Sequence, residues 1–390
     1  MLKYLIRILT SIFFISISTI YGQLAKADPA ANKSDYQIVV DAGSTGTRLH
    51  IFKIDTSNTK QSIPLIEEIF SSQADSGIAT HINSQREINE HLAYVLNPAQ
   101  KFCFQSKLPC SNAPFHFLAT GGVRILKPSQ QKALFNYVQG WLDDNTIFMN
   151  IVENRMLTGT EEAELGWLTS FESELRNNKP LGAYFELGGA SMQYAYALKE
   201  PSAANVHFNI NHKTIHLKAG SWLGFGIHEA SNRVISYWHI GQSVCFPKGT
   251  SKGSNFNYPK CFSLFKNYLE VNQDFTPHQK TIDQLVTQNA PIKLGAAFAY
   301  MISDGFKVSQ PGKFQDKLKS ACNKPWYEIR SSYIDLVSYH QASLCADGTY
   351  ILNLFSALGL PKQYTNYSFN TLSWSRGVII KNWLDHKKTV

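Results

Sequence analysis

The sequence predicts an α/β chain built as two related lobes that face each other. Three observations carry this. The chain has 390 residues, 44% of them hydrophobic, enough for about two domains with a sizeable core. From Tyr36 onward, strand-like and helix-like segments alternate. One pattern also occurs twice: a strand ends in an acid, a Gly/Ser turn follows, and a second strand resumes. It is centred on Asp41 and again on Glu186, 145 residues later.

The N-terminus is expected to be a removable export signal, residues 1–27. Lys3 and Arg7 precede an apolar run from Ile8 to Ile20, and Ala25-Lys26-Ala27 follows. A charged start, a short apolar middle and an A-x-A end have that meaning. A membrane anchor is the alternative, but the run has 13 residues and a spanning helix needs about 20. The mature chain is thus expected to be exported, secreted or periplasmic, without a membrane span. The formal charge of +8 falls to +5 once Lys3, Arg7 and Lys26 are removed. The basic residues are scattered, so no nucleic-acid partner is expected, only a weak bias toward anionic ligands. The six cysteines form three local couples. An even count in an exported chain points to disulfides, and nearest-neighbour pairing gives Cys103–Cys110, Cys245–Cys261 and Cys322–Cys345. No couple has the C-x-x-C spacing of a zinc site.

The elements then run in order. Gln37 to Asp41 and Arg48 to Ile54 are strands around a tight turn. Ile88, Leu92, Val95 and Leu96 mark one face of a helix that Pro98 should end. "APFHFLAT" is a strand running into Gly121-Gly122. Ser129 should cap a helix with Leu134, Val138, Trp141 and Leu142 on its inner face. "IFMNIVE" is a strand, and "TGTEEAELGWLTSFESEL" opens a helix. "LGAYFEL" and "SMQYAYAL" flank the second turn. A loop-rich segment follows near residues 247–260, then apolar helices near 292–306, 349–358 and 373–385.

The turns point to phosphate. Glycines let the backbone come close to a ligand, and successive N–H groups in such a turn form an anion nest. In "DAGSTG" Ser44, Thr45 and Thr47 add hydroxyl donors to the nest. In "ELGGAS" Gly188 and Gly189 permit a second nest, with Ser191 beside it. Asp41 and Glu186 at the strand ends can hold a metal or its waters. A plain hairpin turn explains either turn alone; one metal–phosphate unit between two loops explains both. "GTEEAEL" offers Glu161, Glu162 and Glu164 as bases, although Thr158 to Glu161 also fits a capping box. Thr120 ends a strand at a Gly-Gly loop, and Arg124 beside it can meet a phosphate or fix a carboxylate. P-loop, G-x-S-x-G and H-E-x-x-H motifs are absent.

These segments, in this order, resemble the apyrase family, the ecto-nucleoside triphosphate diphosphohydrolases. The resemblance rests on "DAGSTGTRLHIF" (41–52), "ATGGVR" (119–124), "GTEEAELGW" (159–167), "ELGGASMQ" (186–193) and "WSRG" (374–377). It extends to "SWLGFG" (221–226), "LGAAFAYMISDGF" (294–306) and "CADGTYIL" (345–352). It implies the two-lobed actin/hexokinase fold, each lobe on an RNase-H-like sheet. The lobes would span 36–163 and 164–371, with a helix in 372–390 returning to the first. It implies hydrolysis of nucleoside tri- and diphosphates, as a monomer, with one divalent cation (Mg, Ca or Mn). Glu162 is then the general base, and Ser191 and Gln193 position the water. Asp41 and Glu186 organise the metal through water. Ser44 to Gly46, Gly188 to Ala190, Thr120 and Arg124 meet phosphate, and Tyr350 stacks on the base. Four departures stand out: Glu186 for the usual Asp, Ala163 for Gly, Phe171 for Asn, and Gly121-Gly122-Val123 for Ala-Gly-Met. An exopolyphosphatase of the same fold and a non-hydrolytic actin-like nucleotide binder are the alternatives.

Overall fold

Two β-sheets with the same strand order organise the chain. The computed structural model describes residues 35–57, 62–237, 244–250, 255–334, 336 and 343–386; the expected export signal lies outside them. The first half contains β1 (Tyr36–Ala42), β2 (Thr47–Asp55), β3 (Leu65–Ala74), α1 (Gln85–Gln105), β4 (Phe115–Ala119), α2 (Pro128–Asn145) and β5 (Ile151–Met156). Then follow α3 (Gly159–Ser170), α4 (Glu172–Asn177), β6 (Ala183–Leu187), β7 (Ser191–Leu198), β8 (Val206–Ile210) and β9 (Lys213–Leu223). The rest is α5 (Ile227–Tyr237), α6 (Tyr258–Asn272), α7 (Thr276–Thr287), β10 (Ile292–Ala296), α8 (Pro311–Cys322), α9 (Trp326–Ser332), α10 (Leu344–Leu358), β11 (Tyr367–Asn370) and α11 (Ser375–His386).

The first sheet has the order β3-β2-β1-β4-β5, and the second β11-β10-β6-β7-β9-β8. Matching β1 with β6, β2 with β7, β3 with β9, β4 with β10 and β5 with β11 superposes the two orders. The second sheet has β8 in addition. In each sheet the acid-bearing strand pairs antiparallel with its hairpin partner and parallel with its other neighbour.

Strand period decides where the acids point. Successive side chains alternate faces. Ile38, Val40 and Ala42 face an outer core with α1 and α2. Val39 faces a central core that also holds Phe52, Leu118, Trp167, Tyr184 and Leu217. Asp41, two residues on from Val39, shares its face. The central core is the layer between the sheets, and α3 and α11 fill it. Full burial of one large apolar side chain such as Trp167 contributes about 1.5–3 kcal/mol. A third core lies on the far side of the second sheet, under α6, α7 and α10.

The three disulfides join Cys103–Cys110, Cys245–Cys261 and Cys322–Cys345, as nearest-neighbour pairing predicts. Among the described residues no helix is long and apolar enough to cross a membrane.

Several element boundaries differ from expectation. α1 continues through Pro98 to Gln105. Proline removes the bond to the carbonyl four residues back, here Tyr94 on an exposed face of the helix. α2 starts at Pro128 behind Lys127, not behind Ser129, because proline suits the first helical position. The strand expected at "IFMNIVE" begins later, at Ile151. Residues 292–296 form a strand, not a helix, and a π-helical turn, Ala299–Gly305, follows. An apolar run of this length does not distinguish a buried parallel strand from a helix.

Candidate active site

Both Gly/Ser turns are hairpin turns, and both open toward the same cleft of ≈ 560 Å³. Its lining includes Asp41, Ser44, Thr45, Thr120 and Glu162 from one side of the sequence, and Glu186, Gly188, Gly189 and Ser191 from the other. In the first turn the Gly43 N–H donates to Gly46 O at 2.9 Å. In the second the Gly188 N–H donates to Ser191 O at 3.0 Å. Among the described residues, the N–H groups of Ser44, Thr45, Gly46, Gly189 and Ala190 find no backbone acceptor. Successive N–H groups of this kind are able to bind an anion.

Each turn rests on a glycine from another segment. A Cβ on Gly77 would meet Ser44 O at 2.5 Å and Gly43 O at 2.6 Å. A Cβ on Gly226 would meet the Ala190 nitrogen at 2.3 Å. Gly226 leads into α5, whose first N–H groups, from Ile227 and His228, donate to the carbonyls of Gly188 and Gly189. The second turn is therefore hung on a helix start. The turns also approach each other: a Cβ on Gly189 would meet Thr45 Cγ2 at 2.4 Å.

Geometry separates the three glutamates of α3. Glu161 completes the capping box with Thr158 and pairs with Arg155 at 3.0 Å. Glu164 pairs with Lys381 of α11 at 2.7 Å. Glu162 alone lines the cleft. Its Oε2 is ion-paired with Arg124 Nη1 at 2.7 Å.

Arg124 is turned toward Glu162 and toward Ser191 at the end of the second turn. Besides Glu162 it donates to Ser191 Oγ at 2.9 Å and to Leu157 O at 3.2 Å. Gln193 Nε2 donates to the same Ser191 Oγ at 2.6 Å. A hydroxyl that accepts two bonds has its own proton left to donate. Gln193 Oε1 is buried and unpartnered, as are Asp41 Oδ1 and Glu186 Oε2.

Burial pushes the carboxyls of Asp41 and Glu162 upward, with Arg48 opposing at Asp41 and Arg124 opposing at Glu162. Glu186 is raised to about 8, from burial first and then from the charge of Glu162. Three clustered acids, Asp41 and Glu162 buried and Glu186 partly so, attract a cation. Among the described residues, however, no three His, Cys, Asp or Glu side chains are placed to hold a bare metal ion. The acids fit a divalent cation that keeps its waters and is held through them.

Tyr350 lies elsewhere. It is fully buried, packs on Phe265 and donates to Phe225 O at 2.7 Å, so it offers no ring face to a nucleobase. Tyr300, on the π-helical turn, lines the cleft instead. The departures at Ala163 and Phe171 both lie in the central core, with Phe171 stacked on Trp167.

Further cleft residues have no role in the sequence reading: Arg48, His50, Glu68 and Asp304, with Leu372 and Ser373. Arg48 stands directly across the ladder from Asp41; strand period from Asp41 would have found it. Glu68 is there because of a register shift between β2 and β3 at Ile51/Phe52. Ser71 opposes His50, yet Glu68 opposes Phe52, so the bulge puts Glu68 on the cleft face where regular pairing would put Ile69. Bulges often re-aim side chains beside active sites. No sequence signal shows one.

Comparison with known proteins bears on the family and the fold. The chain is 24% identical over 424 residues to rat ectonucleoside triphosphate diphosphohydrolase 1, spanning 92% of this chain and 80% of that protein. Its fold is like that of an Aquifex aeolicus Ppx/GppA family member (TM-score 0.55, 14% identity, 90% of this chain and 98% of that one). It is equally like a structure of nucleoside triphosphate hydrolases from Neospora caninum (TM-score 0.56, 14% identity, 91% and 93%). These likenesses establish the two-lobed fold of the actin/hexokinase type. The profile of the GDA1/CD39 (nucleoside phosphatase) family matches residues 27–381, and the chain belongs to that family of phosphate-releasing hydrolases.

Proposed function

We propose that this protein removes the terminal phosphate of nucleoside triphosphates, and of diphosphates in the same cleft, by in-line attack of a water activated by Glu162. One observation carries the reading: the carboxylates of Asp41, Glu162 and Glu186 line one cleft between the two Gly/Ser turns, and Asp41 Oδ1, Glu186 Oε2 and, beside Ser191 of that lining, Gln193 Oε1 are buried acceptors without hydrogen-bond partners. Buried polar atoms are normally satisfied, so three together call for a hydrated ligand.

Ser44 to Gly46 and Gly188 to Ala190 would wrap the phosphates through backbone N–H groups. Ser191, its acceptor capacity filled by Arg124 and Gln193, would donate to the attacking water. Gln193 Oε1 and Glu162 Oε2 would accept its two protons, and Glu162 would take one as the water attacks. Arg124 holds Glu162 and Ser191 in a fixed relation. Asp41 and Glu186 would hold Mg²⁺, Ca²⁺ or Mn²⁺ through water, and the cation supplies neutralisation of the phosphate oxygens. We assign the base contact to Tyr300. The protein is read as exported, secreted or periplasmic, which the three disulfides support. Both turns and the base come from one chain, so a monomer suffices.

The test is phosphate release from ATP, ADP and long-chain polyphosphate with each cation in turn, repeated with Glu162→Gln. Nucleotide turnover should fall by about 10²–10⁴ in the variant, with nucleotide binding retained. Undiminished turnover would remove Glu162 from the mechanism. Release from polyphosphate alone would favour an exopolyphosphatase of the same fold.

A further inference from the structure

The second sheet carries one strand that the first lacks, β8. The hairpin it makes with β9 turns through Asn211-His212, both with positive φ (51° and 60°), which matches the two-residue turn whose twist suits a hairpin. Such a turn fixes register. Phe208, Ile210 and Leu217 are buried against the central core. The alternate positions face outward, and there His207 stands directly opposite His216. Their Nδ1 atoms are 2.8 Å apart and the rings meet at 75° with centroids 5.1 Å apart.

A plain hydrogen bond between two neutral rings accounts for the distance. The next outward pair, Asn209 and Thr214, does the same with an amide and a hydroxyl, also at 2.8 Å. What distinguishes the first pair is that both partners are metal ligands. Metal–imidazole bonds are about 2.0–2.1 Å. Two nitrogens 2.8 Å apart then subtend about 85° at a shared metal. That is the angle between neighbouring ligands in a tetragonal Cu²⁺ or Ni²⁺ site, and it is narrower than tetrahedral Zn²⁺ prefers. We propose that His207 and His216 form a two-histidine chelate for a tetragonal divalent transition cation, on the outer face of the β8–β9 hairpin and separate from the cleft. The donor ring moves its proton from Nδ1 to Nε2, so no proton is lost. The other coordination positions face solvent. Mg²⁺ and Ca²⁺ are excluded, because they take oxygen ligands.

The experiment titrates metal-stripped full-length protein with Cu²⁺ and, separately, Ni²⁺, Zn²⁺ and Mg²⁺, by calorimetry. Electron paramagnetic resonance follows the Cu²⁺ sample. Wild type should take up one tight equivalent of Cu²⁺ with two coupled nitrogens, Ni²⁺ and then Zn²⁺ more weakly, and Mg²⁺ with no nitrogen ligand. His207→Gln and His216→Gln should each bind that equivalent at least ten-fold more weakly. His212→Gln, at the tip of the same hairpin, should bind like wild type. Metal-free unfolding midpoints should be unchanged in all three, as for exposed substitutions in general. Equal Cu²⁺ binding by wild type and His207→Gln, or loss of binding in His212→Gln alone, would overturn the proposal.

Discussion

The two acid-led turns share a scaffold and differ at the ladder position opposite the acid. In each sheet the acid ends the central strand and a hairpin partner returns beside it. The residue directly across from Asp41 is Arg48. The residue directly across from Glu186 is Gln193. Directly opposed residues share a face, so both partners accompany their acid toward the cleft. On the proposed mechanism, a guanidinium beside the acid would give the first half-site a positive charge for phosphate. An amide beside the acid would give the second an acceptor for water. Both turns would bind phosphate, and the residue opposite the acid would add water positioning to the second alone.

That division can be broken by kinetics. Gln193→Leu removes a water acceptor and should lower kcat by about 10²-fold, the scale of a small misplacement of reacting groups, with KM nearly unchanged. Arg48→Met removes a charged donor worth about 1.5–3 kcal/mol. It should raise KM by roughly ten-fold or more and alter kcat less. Steady-state rates on ATP separate the two patterns, and the same pattern in both variants would refute the division.

The acids differ as well, and metal-free stability tests it. Glu186 stays protonated in the fold until about pH 8 but ionises near 4.5 when unfolded. Between those values the unfolded state has lost a proton that the native state keeps, so stability falls as pH rises. Glu186→Gln removes that dependence. The variant should exceed wild type above about pH 4.5, by a margin growing toward pH 8 and reaching the order of a few kcal/mol, at about 1.4 kcal/mol per pKa unit. Thermal unfolding in chelator across this range measures it; parallel curves would contradict the burial of Glu186.

The glycine supports are the point on which the lobes agree. Gly77→Ala and Gly226→Ala each drive a methyl into backbone atoms of a turn, at 2.5 Å and 2.3 Å. Each should destabilise by about 1–3 kcal/mol, the usual cost of overpacking. Gly189→Ala meets the side-chain tips of Thr45 and Ser44, which can move, and should cost less. Denaturant midpoints rank the three.

How much of this the sequence displays depends on the kind of signal. The two turns are local: acid, glycines and hydroxyls lie within seven residues at each, and the strands around them follow from period two. Glu162 could be proposed but not separated from Glu161 and Glu164, because capping, ion pairing and cleft lining depend on Thr158, Lys381 and Arg124 in space. Tyr350 and Tyr300 both lie in family-like segments. Only packing shows that one is sealed in the core while the other reaches the cleft. β10 was hidden at the head of an apolar run, because Ile292-Lys293-Leu294 alternates for only three residues before Gly295 and the apolar residues that follow, too few to separate a strand from a helix.

The smallest expected effect lies where the lobes differ most in backbone. β3 carries a bulge that sends Glu68 to His50, 3.3 Å from its Nδ1. The counterpart strand β9 pairs with β7 without a shift, and Ser221 there faces Gln193. Glu68 therefore has no equivalent in the second lobe. His50 beside it holds its carboxyl below the ordinary value. A depressed carboxyl adds stability above its unfolded pKa and loses it as pH falls through the folded one. Glu68 is partly exposed, 38% at the side chain, so screening keeps the gain within the range of surface ion pairs, below about 1 kcal/mol. Glu68→Gln should lower the unfolding midpoint slightly at neutral pH, and the deficit should close in acid. A deficit that persists in acid would mean that Glu68 acts through packing at the bulge and not through its charge.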